Sequence, residues 1–138
     1  MLRGLASVGF WADDVVAART WYTELLGIEP YFERPDSEHP AYIEFRLGDS
    51  QDELGIIDTT YAPKSAAAGP GGAVISWHVD DVAAALERVT AMGATEYEPL
   101  THREAGFITA SVVDPFGNIL GLTYNPHYLE VLDSTGTA

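Results

Sequence analysis

Cysteine is missing altogether from these 138 residues. Disulfides, thiolate nucleophiles, zinc–thiolate sites and iron–sulfur clusters are therefore excluded, and any bound metal would depend on His and carboxylate ligands. Positive charge is scarce as well: 7 Lys and Arg stand against 21 Asp and Glu, a formal net charge of −14. Such a surface repels phosphate backbones, and no basic stripe interleaved with aromatics occurs, so no nucleic-acid partner is expected. Acidic surfaces attract cationic small molecules, but they also keep a protein soluble whatever its function. Long apolar runs are lacking too. None approaches the roughly 18 residues of a membrane span, and the N-terminus does not have the layout of a signal peptide. No membrane partner is expected, and a cytoplasmic location is.

What is present is a pattern written twice. Val8 to Ala18 (VGFWADDVVAA) is echoed from Ile75 to Ala85 (ISWHVDDVAAA). Asp13-Asp14-Val15 matches Asp80-Asp81-Val82, Leu26-Gly27 matches Met92-Gly93, and Leu54-Gly55-Ile56 matches Leu120-Gly121-Leu122, all in nearly one register. A repeat of this length sets the architecture before any single element is assigned. At 46% hydrophobic content the chain can bury one respectable core and is too short for two ordinary independent domains. The whole chain, 1–138, is thus expected to be one domain: a first module over about 5–60, a linker over 61–72, a second module over about 73–124 and a tail over 125–138.

In each copy an alternating apolar strand runs into the Asp pair, whose carboxylates suit a helix N-cap and the positive end of the helix dipole. Helical spacing then continues through Val15, Ala18, Tyr22, Leu25 and Leu26, and through Val82, Ala85, Leu86 and Val89. Gly27 and Gly93 stop the two helices. Three β-type runs follow in each copy: Glu29–Glu33, Ala41–Leu47 and Glu53–Thr59, then Thr95–Leu100, Gly106–Val113 and Ile119–Tyr124. Gly48-Asp49 and Asp114-Pro115-Phe116-Gly117-Asn118 supply turns before the last strands. Each module reads βαβββ, an α+β arrangement. Tyr61–Gly72, rich in Ala, Pro and Gly, reads as the linker, and a helical turn is expected through His127–Leu132.

A doubled βαβββ chain with WYTELLG in the first helix and DPFGN before the last strand resembles the vicinal-oxygen-chelate superfamily of glyoxalases, bleomycin-resistance proteins and extradiol dioxygenases. The resemblance covers about Leu5 to Tyr124. It implies two modules forming an open cleft, a homodimer, and, in metal-dependent members, a His on the first strand and a Glu on the last strand of a module. Alignment on the repeat puts Ser7 and Val74 at the histidine positions and Gly55 and Gly121 at the glutamate positions. None of the four is a normal ligand in such a site, so no metal and no other cofactor is expected.

Side chains alternate across a strand, so residues sharing parity with those four should face the cleft. The ligand-binding candidates are therefore Trp11, Tyr42, Glu44, Arg46, Ser76, His78, Phe107 and Thr109, with Val8, Phe10, Ile75, Trp77 and Val79 packing under the helices and Ile43, Phe45 and Leu47 facing the core. Trp11 and Tyr42 could sandwich a planar or cationic group. Each also has a plainer role. Glu44 and Arg46 could pair with each other, Trp11 could cover a module interface, and His78 could be a structural histidine. His39, His102 and His127 belong to loops or the tail, and Trp21 to the core.

Two functions follow. The first is a metal-independent small-molecule-binding protein of the bleomycin-resistance type, sequestering a drug or natural product with aromatic or cationic character. The alternative is an enzyme of the same superfamily, a glyoxalase-like lyase, isomerase or epimerase, with His78 and Glu44 as acid and base. A metalloenzyme with relocated ligands, such as Glu44, His78 and His102, has no support in the spacing.

Overall fold

The computed structural model describes residues 1–63 and 69–135. Residues 64–68 of the expected linker and the last three of the tail lie outside the described residues. The chain divides into two compact units, Met1–Ala68 and Gly69–Ala138, with the boundary inside the expected linker.

In the first unit, β1 (Ser7–Ala12) leads into α1 (Val15–Leu26), followed by β2 (Phe32–Arg34), β3 (Tyr42–Leu47) and β4 (Asp52–Asp58). The sheet order is β1-β4-β3-β2, with β1 parallel to β4 and the other pairs antiparallel. A parallel pair needs a crossover, and α1 begins it. The helix starts where the sequence indicates: the Asp14 side chain accepts a hydrogen bond from the Ala17 N–H at 3.0 Å. It stops at Gly27, whose φ of 71° lies in the left-handed region and whose N–H bonds the Thr23 carbonyl. Val15, Ala18, Trp21 and Tyr22 of α1 are buried with Phe10, Ile43, Phe45, Leu54 and Ile56 of the sheet. Each large apolar side chain removed from water contributes roughly 1.5–3 kcal/mol, and this is the unit's core.

The second unit repeats the plan with β5 (Ile75–His78), α2 (Val82–Ala91), β6 (Thr95–His102), β7 (Ile108–Val113) and β8 (Ile119–Tyr124), in sheet order β5-β8-β7-β6. Asp81 caps α2 through the Ala84 N–H at 3.0 Å, as Asp14 caps α1. Val82 and Val89 are buried with Ala110, Val112, Leu120 and Leu122. The DPFGN turn closes on its own aspartate: buried Asp114 accepts from the N–H groups of Phe116 and Asn118 at 2.9 and 2.8 Å and from Asn118 Nδ2 at 3.1 Å. A further helix, α3 (Pro126–Ser134), follows β8, capped by the Asn125 side chain with proline in its first turn.

Two βαβββ modules, the architecture expected from the repeat, are thus present, with differences at the edges. β2 is short and later than expected because Pro30 cannot donate to a ladder; pairing begins with the Tyr31 N–H on the Glu44 carbonyl at 3.0 Å. β7 starts two residues late because Glu104–Gly106 forms a 3-10 turn, and α3 is longer than the single turn expected. No helix among the described residues is long and apolar enough to cross a membrane.

Candidate functional site

Strand register arranges one face of the first sheet into rows. Arg46 stands opposite Glu53, Glu44 lies between Phe32 and Gly55, and Tyr42 lies between Arg34 and Ile57. The β1 partners extend these rows to Ser7, Gly9 and Trp11. The opposite face carries Ile43, Phe45, Leu54 and Ile56 into the core, so alternation leaves the rowed face clear of α1.

An open cavity of about 830 Å³ occupies this face, its lining including the aromatic Tyr31, Phe32, Tyr42 and Tyr61 interleaved with the charged Arg34, Glu44, Arg46 and Glu53. Phe32 and Tyr42 meet edge to face with centroids 6.2 Å apart. Arg46 and Glu53 form an ion pair at 3.1 Å, the Tyr31 hydroxyl also donates to Glu53 at 3.1 Å, and the Arg46 guanidinium lies 4.2 Å from the centre of the Tyr31 ring. Glu44 does not pair with Arg46; it accepts a short hydrogen bond from the Tyr42 hydroxyl. Burial, reinforced by the nearby Glu53 charge, raises the pKa of the Glu44 carboxyl above its ordinary value, and the same two causes raise that of the Tyr42 phenol. Arg34, its guanidinium 5.4 Å from the centre of the Phe32 ring, has no carboxylate partner among the described residues.

Of the residues singled out from the sequence, Tyr42, Glu44 and Arg46 line this cavity. Trp11 shares their face, one strand beyond Ile57, and is not among the lining residues. Ser76, His78, Phe107 and Thr109 belong to the second unit. There Ser76, Gly121 and Ser111 form one cross-strand row, and His78, Thr123 and Thr109 the next. Thr109 accepts from Arg103 Nε at 3.1 Å, and the Ser111 hydroxyl is buried without a hydrogen-bond partner.

His78 has a specific structural engagement. Its ring stacks on Tyr128 of α3 with centroids 4.6 Å apart, its Nδ1 accepts the Asn125 N–H at 3.1 Å, and its side chain is only 8% exposed. Nδ1 is therefore unprotonated and Nε2 carries the proton. Nε2 stands 3.4 Å from the Asp80 carboxylate without hydrogen-bond geometry. The imidazole thus fastens the start of α3 to the sheet.

Sequence reasoning missed Tyr31, Phe32, Arg34 and Tyr61. The first three sit at or beside an edge strand displaced from its expected position, and Tyr61 was assigned to the linker. It instead ends the 3-10 turn Thr59–Tyr61, which Asp58 caps by accepting from the Thr60 N–H at 2.9 Å. These bonds hold the Asp58 carboxyl below its ordinary pKa. The available signal was the aromatic-rich run Tyr31-Phe32-Glu33-Arg34 directly after α1.

The sequence profile of the Glyoxalase/Bleomycin resistance protein/Dioxygenase superfamily matches residues 4–122, and the chain belongs to that superfamily. A glyoxalase-related enzyme from Fulvimarina pelagi is similar in structure, at 23% identity and a TM-score of 0.70, over 91% of this chain and 90% of that one. A glyoxalase/bleomycin resistance protein from Catenulispora acidiphila is 24% identical with a TM-score of 0.57, over 86% and 96%. Lactoylglutathione lyase from Agrobacterium tumefaciens is 19% identical with a TM-score of 0.67, over 93% and 98%. At these identities the likeness is one of fold, which does not carry an activity with it. No curated protein matches significantly.

The family's metal does not fit the positions aligned with its ligands. A Cβ on Gly55 would lie 2.8 Å from the Tyr42 hydroxyl oxygen, and one on Gly121 would lie 2.5 Å from Ser76 Oγ and 2.9 Å from the Ile75 carbonyl oxygen. Neither place has room for a side chain as the structure stands, and Val74 offers no donor. Among the described residues no three His, Asp or Glu side chains gather as a metal site.

Proposed function

We propose that the protein binds a small aromatic organic molecule in the cavity of its first unit, without a metal, and holds it rather than transforming it. The observation that carries this reading is the grouping of Tyr31, Phe32, Tyr42 and Tyr61 around an 830 Å³ cavity with a few placed polar groups. Organic-ligand sites commonly have this size and make-up. The test is calorimetric titration with a panel of aromatic natural-product scaffolds, followed by mass analysis of the recovered ligand. Saturable one-to-one binding, weakened by Phe32→Ala or Tyr42→Ala, with the ligand recovered unchanged, is the expected result; a product overturns sequestration.

One observation favours a second reading, a metal-free isomerase or lyase. Glu44, its pKa raised by burial, accepts a hydrogen bond from the Tyr42 hydroxyl inside the cavity, so the pair could exchange a proton with a bound substrate. His78 suits the acid–base role expected of it less well, since Nδ1 and one ring face are already committed. Turnover lost in Glu44→Gln and retained in His78→Asn would establish this second reading. Both readings take the chain as a cytoplasmic homodimer. Sedimentation at micromolar concentration tests the dimer, and a monomer there would remove it.

A further inference from the structure

The cavity contains two arginines in different electrical states. Arg46 is paired with Glu53 at 3.1 Å and lies over the Tyr31 ring. Among the described residues Arg34 has the face of Phe32 and no carboxylate. Each nearby acid is engaged elsewhere. Glu33, next in the chain, lies on the opposite face by strand alternation, where it holds Arg19 of α1 at 3.0 Å. Glu53 is occupied by Arg46 and Tyr31, and Glu44 by the Tyr42 hydroxyl. The planar guanidinium of Arg34 thus lies over the Phe32 ring, on a residue paired in register with Tyr42, with no hydrogen bond from its N–H donors among the described residues.

We propose that the ligand of this cavity is an aromatic carboxylate, its ring system lying against Phe32 and Tyr42 and its carboxylate on the Arg34 guanidinium. This rests on the binding reading above and specifies its ligand. Arginine and carboxylate match in a two-pronged, charge-assisted hydrogen-bond geometry, which a cationic ligand cannot use and a neutral one uses only weakly. Arg34 sits beside the Phe32 and Tyr42 rings, so a short rigid molecule spans both features. The ligand is therefore anionic, in place of the cationic character that overall charge suggests. The cavity's own donors matter more than the net charge of −14, which is spread over the chain and screened within about 10 Å in 0.1 M salt.

The experiment is calorimetric titration with three probes of one shape: 1-naphthoate, 1-naphthylmethanol and 1-naphthylmethylammonium. The expected result is that naphthoate binds about tenfold tighter than the alcohol, with the ammonium weakest. Arg34→Gln should erase that advantage, bringing naphthoate down to about the affinity of the alcohol; because Arg34 is exposed, its replacement should leave the melting temperature in place. Equal affinity for all three probes, or preference for the ammonium, overturns the carboxylate assignment while leaving the cavity as the binding site. Failure of all three to bind overturns both.

Discussion

The ring of Tyr42 lies across Gly55, so close that a single methyl group on the glycine would meet the phenol oxygen at 2.8 Å and Cε2 at 2.9 Å. The glycine keeps the floor of the cavity low enough for the ring to lie flat and reach Glu44. Gly55→Ala should therefore turn the ring out, break the bond to Glu44, weaken ligand binding and cost about 1–3 kcal/mol. Tyr42→Ala in the same chain should recover most of that stability, which a double-mutant cycle in urea measures.

Gly121→Ala should be the more damaging of the two glycine substitutions. Its obstacles include backbone, the Ile75 carbonyl oxygen at 2.9 Å and Ser76 Cα at 3.0 Å, and backbone in a parallel pair cannot swing aside. Removing the Ser76 hydroxyl should consequently fail to rescue it. Comparison of urea midpoints for Gly121→Ala alone and with Ser76→Ala checks this.

His78→Ala should loosen α3 without touching the first-unit cavity. It removes the stacking partner of Tyr128 and the acceptor for the Asn125 N–H, and an orphaned, partly buried donor costs about 1–3 kcal/mol. Hydrogen exchange should quicken at the start of α3, while ligand affinity stays within twofold of the wild type. His78→Phe, which keeps the stacking but not the acceptor, should fall between.

Asp114→Ala should be among the most destabilising single changes, at about 2–4 kcal/mol, because the buried carboxylate satisfies two N–H groups and the Asn118 side chain in one turn. Thermal melts of the purified variant measure the loss.

Glu44 gives the stability a pH dependence of known sign. Its folded pKa is raised above the ordinary 4.5, so between that value and the raised one the native state holds more protons than the unfolded state. Its contribution to stability is therefore best at low pH and declines as pH rises through that window. Glu44→Gln should raise the melting temperature at pH 7 relative to the wild type, with the gain vanishing below about pH 4. A gain that persists unchanged in acid would contradict the raised pKa.

The repeat made the architecture readable because a duplicated Asp pair, glycine stop and turn leave the backbone few alternatives; both aspartates cap the helices assigned to them. Alternation identified Tyr42, Glu44 and Arg46 as sharing a face, a consequence of period two alone. It could not reveal Phe32 and Arg34, since a three-residue edge strand takes its register from its neighbour rather than from its own pattern. Nor could it reveal the fastening of His78, which depends on a helix nearly fifty residues away in the chain.

Trp11 and His78 occupy the same rung of two copies of one ladder, yet they have different surroundings. After β8 the chain turns at once into α3 and clasps the imidazole; after β4 it makes only the short turn that delivers Tyr61 to the cavity. What leaves each last strand differs between the copies: a helix that holds His78 in one, a short turn ending at a cavity residue in the other. Two halves drawn from one blueprint thereby part company in their outgoing connections.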